Sequence, residues 1–379
     1  MTNLLQRPAE RWIRRLGGLL LVIAIVIATL LMIEGAASVA LFWRDYATAT
    51  EPNAIVRPHT EHDTLLGWVN RPSFSSPDEY GRGIGLTTTP ERFRGRSPLG
   101  TLVSGRVRVI CSGDSFTMGV GVGDEDNWCR LLERTLPGLE TVNMGQGAYG
   151  VDQAYLWYRR DGVRVRHQIQ ILGLTDVQFE RSLTGTYSGR FKPYFELDGD
   201  RLVTRNVPVP HQTMAALRRA YAARLVEELR VVQVVRRIPR FDGRQRGAEQ
   251  VMARWALFER IFDDLAALHR ANGTQLVIAY LPTGRNRAPG YLDARRRRLA
   301  DYATRRGLTF VDLTPSLRKL SADSLDLTFI SRIEPGVARG VLGHYSVYGN
   351  AWVARELVRT LGSAMGRRPL SPPARAQSR

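Results

Sequence analysis

The sequence predicts an α/β protein in which helices cover a parallel sheet. Two observations predict this: strand-like apolar runs alternate with helical periodicity, and each run is closed by glycine, proline or asparagine. Val107 to Cys111 is an apolar run that breaks at Gly113. Ile169-Gln170-Ile171-Leu172 and Leu276 to Leu281 read as further strands, as does Leu308 to Leu313. Between them, Val251, Trp255, Phe258, Phe262, Leu265 and Leu268 recur at three and four residues. That spacing puts them on one helix face, and Asn272-Gly273 stops the helix. Tyr291 to Arg306 is a second helix and Ser346 to Leu361 the last. No internal repeat is visible.

The ends define the compartment. Arg7, Arg11, Arg14 and Arg15 precede Leu16 to Ile33, an uncharged apolar stretch that resumes after Glu34 and reaches Trp43. A bilayer needs about 20 such residues, whereas a cleaved signal peptide has an apolar core of about 7–15. Ser38-Val39-Ala40 imitates a cleavage site, but the length favours an uncleaved anchor. Residues 1–15 are therefore expected as a cytoplasmic basic head and 16–43 as a transmembrane anchor. The arginines place the rest outside a bacterial inner membrane. Residues 44–104 read as an extracytoplasmic linker or N-terminal extension, a tether packed along the domain or a segment lining its substrate. It holds Leu66-Gly67-Trp68 and Arg92-Phe93-Arg94-Gly95. Residues 105–363 form the main domain. An insertion at about 186–248, a hairpin followed by the basic helical stretch His211 to Arg240, is expected as a cap. Residues 364–379 are rich in Pro, Ala, Ser and Arg and are expected to be disordered.

The motif with most chemistry is Ser112-Gly113-Asp114-Ser115, followed by Phe116-Thr117-Met118-Gly119. A strand that breaks at glycine and hands a serine to a helix exposes that hydroxyl beside unpaired backbone N–H groups. The same residues also suit a plain Asp/Ser helix cap. Three further stretches follow in order. They are Val142-Asn143-Met144-Gly145-Gln146-Gly147-Ala148-Tyr149-Gly150 with Asp152-Gln153, then Gly173-Leu174-Thr175-Asp176, then Gly343-His344-Tyr345-Ser346 with Gly349-Asn350.

Over roughly residues 105–363 these four blocks resemble the SGNH (GDSL-type) hydrolase family, in its membrane-anchored bacterial form. The resemblance implies a flavodoxin-like three-layer parallel sheet. It implies Ser115 as nucleophile, His344 as general base, and an oxyanion hole from Ser115, Ala148 or Gly147, and Thr175. Asp114 and Asp176 are supporting residues, Asp114 shaping the turn as a cap. Three departures stand out. Ala148 replaces a glycine and Thr175 an asparagine. Val341 and Leu342 stand where the family has the aspartate that orients the histidine. A backbone carbonyl, Asp312 or Glu334 are the available substitutes. The function implied is a membrane-anchored extracytoplasmic serine esterase or deacylase acting on an acylated carbohydrate or lipid. Two alternatives are O-acetyl transfer to a cell-envelope polysaccharide and a non-catalytic glycan-binding protein.

The net charge of +18 invites a nucleic-acid reading. Lysine occurs only at Lys192 and Lys319, however, the arginines are scattered, and no nucleic-acid motif is present. No nucleic-acid partner is expected; a basic exterior suits anionic headgroups or cell-wall polymers. Arg295 to Arg298 read as a solvated helix face. Cys111 and Cys129 read as two buried thiols, although the compartment permits a disulfide. The six histidines lack ligand spacing with either cysteine, so no metal and no cofactor are expected. The oligomeric state is left open.

Overall fold

The structure, a computed structural model, describes residues 6–48, 58–211, 243–290, 292–333 and 339–365, with isolated positions between 212 and 242. Its centre is a five-stranded, wholly parallel sheet: β1 (Val107–Gly113), β2 (Leu139–Gly145), β3 (Ile169–Leu174), β4 (Gln275–Tyr280) and β5 (Thr309–Asp312). The spatial order is 2-1-3-4-5, the flavodoxin-like doubly wound arrangement. The helices are α1 (Gln6–Thr48), α2 (Ser115–Met118), α3 (Trp128–Thr135), α4 (Val151–Arg160), α5 (Asp176–Arg181), α6 (Gly243–Ala253), α7 (Trp255–Asn272), α8 (Leu292–Arg306) and α9 (Val347–Met365). Two further helical turns span Thr314–Leu317 and Ala322–Thr328.

Successive strand residues point to opposite faces, so a parallel sheet covered on both sides needs near-continuous apolar strands. Ile110, Leu172 and Ile278 face one layer, against Trp157 and Tyr158 of α4 and Phe258, Phe262 and Leu265 of α7. Val109, Cys111, Ile171, Val277 and Ala279 face the other, against Trp128 and Leu132 of α3 and Trp352, Val353 and Leu357 of α9.

Three expectations are corrected. The cysteines are not thiols: Cys111 of β1 and Cys129 of α3 form a disulfide, with Cα atoms 6.1 Å apart. Cys111 lies on the face that α3 covers, a juxtaposition that needs the fold to be seen. The helix expected from Val251 is broken at Arg254, between α6 and α7. The break seats Trp255, fully buried, in a stack on Phe179 with ring centroids 5.8 Å apart. Its far end stops as expected, at Gly273 with φ 63°. Arg295 to Arg298 are not one solvated face. Arg295 is buried over the Phe179 ring, Arg296 pairs with Asp293 and Asp312, and Arg298 lies over Trp255. The described part of the 44–104 segment packs into the domain. Leu66, Trp68, Val69 and Phe93 join the main core. Two small antiparallel pairs shape it, Thr60–Asp63 with Gly67–Asn70 and Ser75–Ser76 with Leu86–Thr87.

In the insertion, Tyr194–Asp198 pairs with Arg201–Arg205 and a smaller pair joins Thr186–Tyr187 to Arg190–Phe191. Most of the helical stretch expected at His211 to Arg240 lies outside the described residues, as do residues 366–379. In α1, the 27-residue span Arg14–Ala40 contains an 18-residue window with a mean hydropathy of 3.0, none of it buried among the described residues. It is long and apolar enough to cross a membrane, and a signal sequence has the same character.

Under the sheet, His269 is buried. It shares Nε2 with Gln170 Oε1 at 2.6 Å and Nδ1 with Thr274 Oγ1 at 2.7 Å. Burial, and secondarily His167, push its pKa down to about 3. Between the ordinary imidazole value of about 6.5 and about 3, the unfolded chain binds a proton that the folded one refuses. His269 therefore makes stability fall as pH falls through that window, by up to about 1.4 kcal/mol per pH unit. Urea midpoints at pH 7, 6 and 5 should fall less steeply in His269→Gln than in the native chain. Equal slopes would contradict a neutral buried His269. The disulfide spans a sequence separation of 18 residues. Its removal in Cys129→Ala should cost about 3 kcal/mol in denaturant titrations, to be compared with the native chain under reductant.

Candidate active site

Three glycines stand side by side at the carboxyl ends of three adjacent strands: Gly113 of β1 is in register with Gly145 of β2 and with Gly173 of β3. A Cβ on Gly145 would land on the Met118 backbone, and one on Gly113 or Gly173 on the Thr117 hydroxyl. Gly113 also has φ 152°. With no side chains there, the single turn of α2 sits directly on the strand ends. This site is the crevice at the carboxyl end of the sheet, where strand order reverses on either side of β1.

The turn itself is pinned at both ends. Asp114 caps it, accepting from the Phe116 N–H at 3.0 Å, and Gly119 closes it with φ 83°. Asn143 Nδ2 donates to Thr117 O at 3.0 Å. Arg94, from the N-terminal extension, is buried with its guanidinium donating to Met118 O, Gly119 O and Val122 O, each at 2.6 Å. Its Nε pairs with buried Asp124 at 3.1 Å.

Ser115 opens α2 with 6% of its surface exposed. Its Oγ lies 2.8 Å from His344 Nε2. The His344 Nδ1 lies 3.1 Å from Val341 O. A carbonyl only accepts, so Nδ1 carries the proton and Nε2 presents a lone pair to the serine hydroxyl; this tautomer is assigned from the network. The imidazole packs on Phe116 at 4.7 Å between centroids, and Phe116 meets Tyr345 edge-on at 5.0 Å. Tyr345 in turn donates to Pro282 O at 2.5 Å. Among the described residues, the Val341 carbonyl is the substitute for the missing aspartate that lies beside the ring. Asp312 is engaged by Arg296 and by the Thr314 N–H, and Glu334 lies outside the described residues.

Gln146, Gly147 and Ala148 follow β2 and so stand beside the Ser115 corner. Among the described residues, the backbone N–H groups of Ser115, Gly147 and Ala148 donate to no backbone carbonyl. Ala148 has φ 67°, the left-handed region that costs an alanine about 1–2 kcal/mol. Such strain gathers where a backbone is held for a purpose.

The Thr175 hydroxyl is placed otherwise than expected. It is fully buried and donates to Asp114 Oδ2 at 2.9 Å. A hydroxyl has one proton, so Thr175 as placed supports Asp114 and offers no donor to an oxyanion. Arg181 donates to the same carboxylate oxygen at 3.1 Å. Burial lifts the Asp114 carboxyl above the ordinary range, while Arg181 and the hydrogen bonds pull against it. Asp176 is also buried. It accepts from Thr283 at 3.1 Å and pairs with Arg285 at 2.9 Å, which ties the end of β3 to the turn after β4. Sequence reasoning gave no role to Arg94, Asn143 or Arg181. In a chain so rich in arginine, nothing marked two of them as buried.

Neither protein-family models nor curated proteins yield a match to this chain. Solved structures do. A member of the lipolytic protein G-D-S-L family from Veillonella parvula is 13% identical, with 68% of this chain and 98% of that one covered and a TM-score of 0.36. An acetyl xylan esterase is 13% identical, with coverages of 68% and 99% and a TM-score of 0.39. A GDSL-like lipase from Bacteroides thetaiotaomicron is 12% identical, with coverages of 71% and 92% and a TM-score of 0.34. The chain is similar to these hydrolases, at identities that assign it neither chemistry nor substrate.

Arg94→Met should cost about 3–5 kcal/mol in chemical denaturation, because it strands buried Asp124 as well as three carbonyls. Arg94→Lys should recover little, since one ammonium cannot reproduce the planar fork. A loss below about 1 kcal/mol would show that the turn does not depend on this residue.

Proposed function

We propose that the chain is an SGNH-type serine esterase, anchored in the bacterial inner membrane by residues 16–43, that removes an ester-linked acyl group outside the cytoplasm. The observation that carries this reading is the 2.8 Å approach of Ser115 Oγ to His344 Nε2, on an imidazole whose other nitrogen is held by Val341 O. His344 takes the serine proton as Oγ attacks the ester carbonyl. The oxygen that becomes negative is met by the N–H groups of Ser115 and of Ala148 or Gly147. Collapse expels the alcohol, which leaves with the proton from His344. Water then repeats the sequence on the acyl-serine and releases the acid.

The Val341 carbonyl beside Nδ1 supports the tautomer that this mechanism needs. The arginines before the apolar span favour a cytoplasmic N-terminus. The Cys111–Cys129 disulfide supports an oxidising compartment for the domain.

The full chain in detergent should hydrolyse a chromogenic acetate ester, and a fluorophosphonate should label Ser115. Ser115→Ala and His344→Ala should each lower turnover at least about 10³-fold with the fold retained by circular dichroism. Turnover that survives either substitution would sink the Ser–His mechanism.

A further inference from the structure

Trp68 belongs to the segment expected as a linker, yet it is 2% exposed. Its indole N–H donates to Gly147 O at 3.0 Å. A planar trans peptide directs its C=O and its N–H to opposite sides. The peptide that carries the Gly147 carbonyl carries the Ala148 N–H, so holding one aims the other. We propose that Trp68 is a positioning residue for the Ala148 N–H as oxyanion donor, which rests on the esterase reading above.

Independent contacts bind Trp68 to this loop. Tyr149 Oη donates to Trp68 O at 2.6 Å, and Gln153 Nε2 donates to Leu66 O at 2.7 Å. Trp68 thus touches the loop with both its ring and its main chain, on either side of the strained Ala148. From the other flank, the Arg190 guanidinium lies 3.9 Å from the centre of the Trp68 ring. A Cβ on Gly67, which has φ 83°, would land on Phe191 O. Lys192 of the same hairpin pairs with Asp152 at 2.5 Å, both fully buried. The extension, the loop after β2 and the inserted hairpin therefore close on one another around Trp68. Left-handed backbone at an alanine persists only where its surroundings over-determine it, and these contacts do so.

A buried indole that merely satisfies its N–H would affect stability alone. A positioning indole affects the transition state. Trp68→Phe keeps the ring and deletes the donor. In the full chain in detergent, kcat should fall about tenfold with KM within about twofold, short of the 10²–10³ for deleting a donor outright. Inhibition by a boronic acid, whose tetrahedral adduct puts an oxygen in the oxyanion site, should weaken by the same factor as kcat/KM. Unchanged kcat and boronate affinity with a lowered melting temperature would overturn the proposal. A second arm does not depend on catalysis or on the variant's fold. In the native chain labelled with ¹⁵N, the Trp68 indole N–H should exchange slowly with water, and fast exchange would overturn the proposal. Where Trp68→Phe folds, the Ala148 amide resonance, assigned by its loss in Ala148→Gly, should move; a resonance that stays would also overturn it. A native chain that turns over no ester and takes no boronate refutes the esterase reading, and the resonance arm still decides the role of Trp68.

Discussion

Everything at the site depends on how close α2 comes to the ends of the central strands. A helical turn of four residues is too short to be stable by its own hydrogen bonds. It exists here because the glycine row lets its backbone rest on β1, β2 and β3 while Arg94 and Asn143 take up its carbonyls. Distance, not chemistry, is what the glycines supply. A methyl group at any of them would lift the turn and disturb the approach of Ser115 to His344, which packs on Phe116 of the same turn while its neighbour Tyr345 is held by Pro282 O.

The same constraint explains what was legible in the sequence. The identity of four of the five strands, strand order through the resemblance, and the Gly-Asp-Ser corner are written in short-range patterns: apolar runs, a glycine where the chain must turn, a capping aspartate. So is the apolar run of α1. The strand β2, half-polar in Leu139–Gly145, was not legible as a strand. The pairing of Ser115 with His344 was legible only through the resemblance, since 229 residues separate them. What was illegible shares one physical character. Arg94, Arg295 and Lys192 are cations whose burial depends on partners far along the chain, and Arg181 is a half-buried one held by Asp114. No local pattern distinguishes them from solvated ones. The disulfide is illegible for the same reason, because it requires knowing which face of β1 the helix α3 covers.

The 58–104 stretch shows how composition misleads. Its proline, glycine and serine content suits a tether, but most of its aromatic and aliphatic residues go inward. The polar remainder is structured by side chains satisfying backbone groups. Asp63 accepts from the Leu65 and Leu66 N–H groups, and Asn70 donates to Arg92 O. Such a segment has little regular secondary structure because many of its backbone groups pair with side chains or across its own short turns rather than in long ladders. That is the arrangement needed by a segment that braces a site instead of extending the sheet.

The carbonyl beside His344 follows from the loop's geometry. Gly343 adopts φ 80°, and the His344 N–H as well as its ring nitrogen turn back onto Val341 O. One oxygen with two lone pairs thus serves both the backbone turn and the imidazole. A carboxylate in that position would stabilise the imidazolium more, but Val341 is buried against Met118 and Val120, where an aspartate would carry a desolvation penalty. With Val341, the loop keeps a packed apolar contact with the Ser115 turn and an oriented base. The two halves of the proposed dyad are then coupled through packing as well as through their hydrogen bond. The cluster under α2 that fixes the serine turn is the same cluster that fixes the oxygen orienting the histidine.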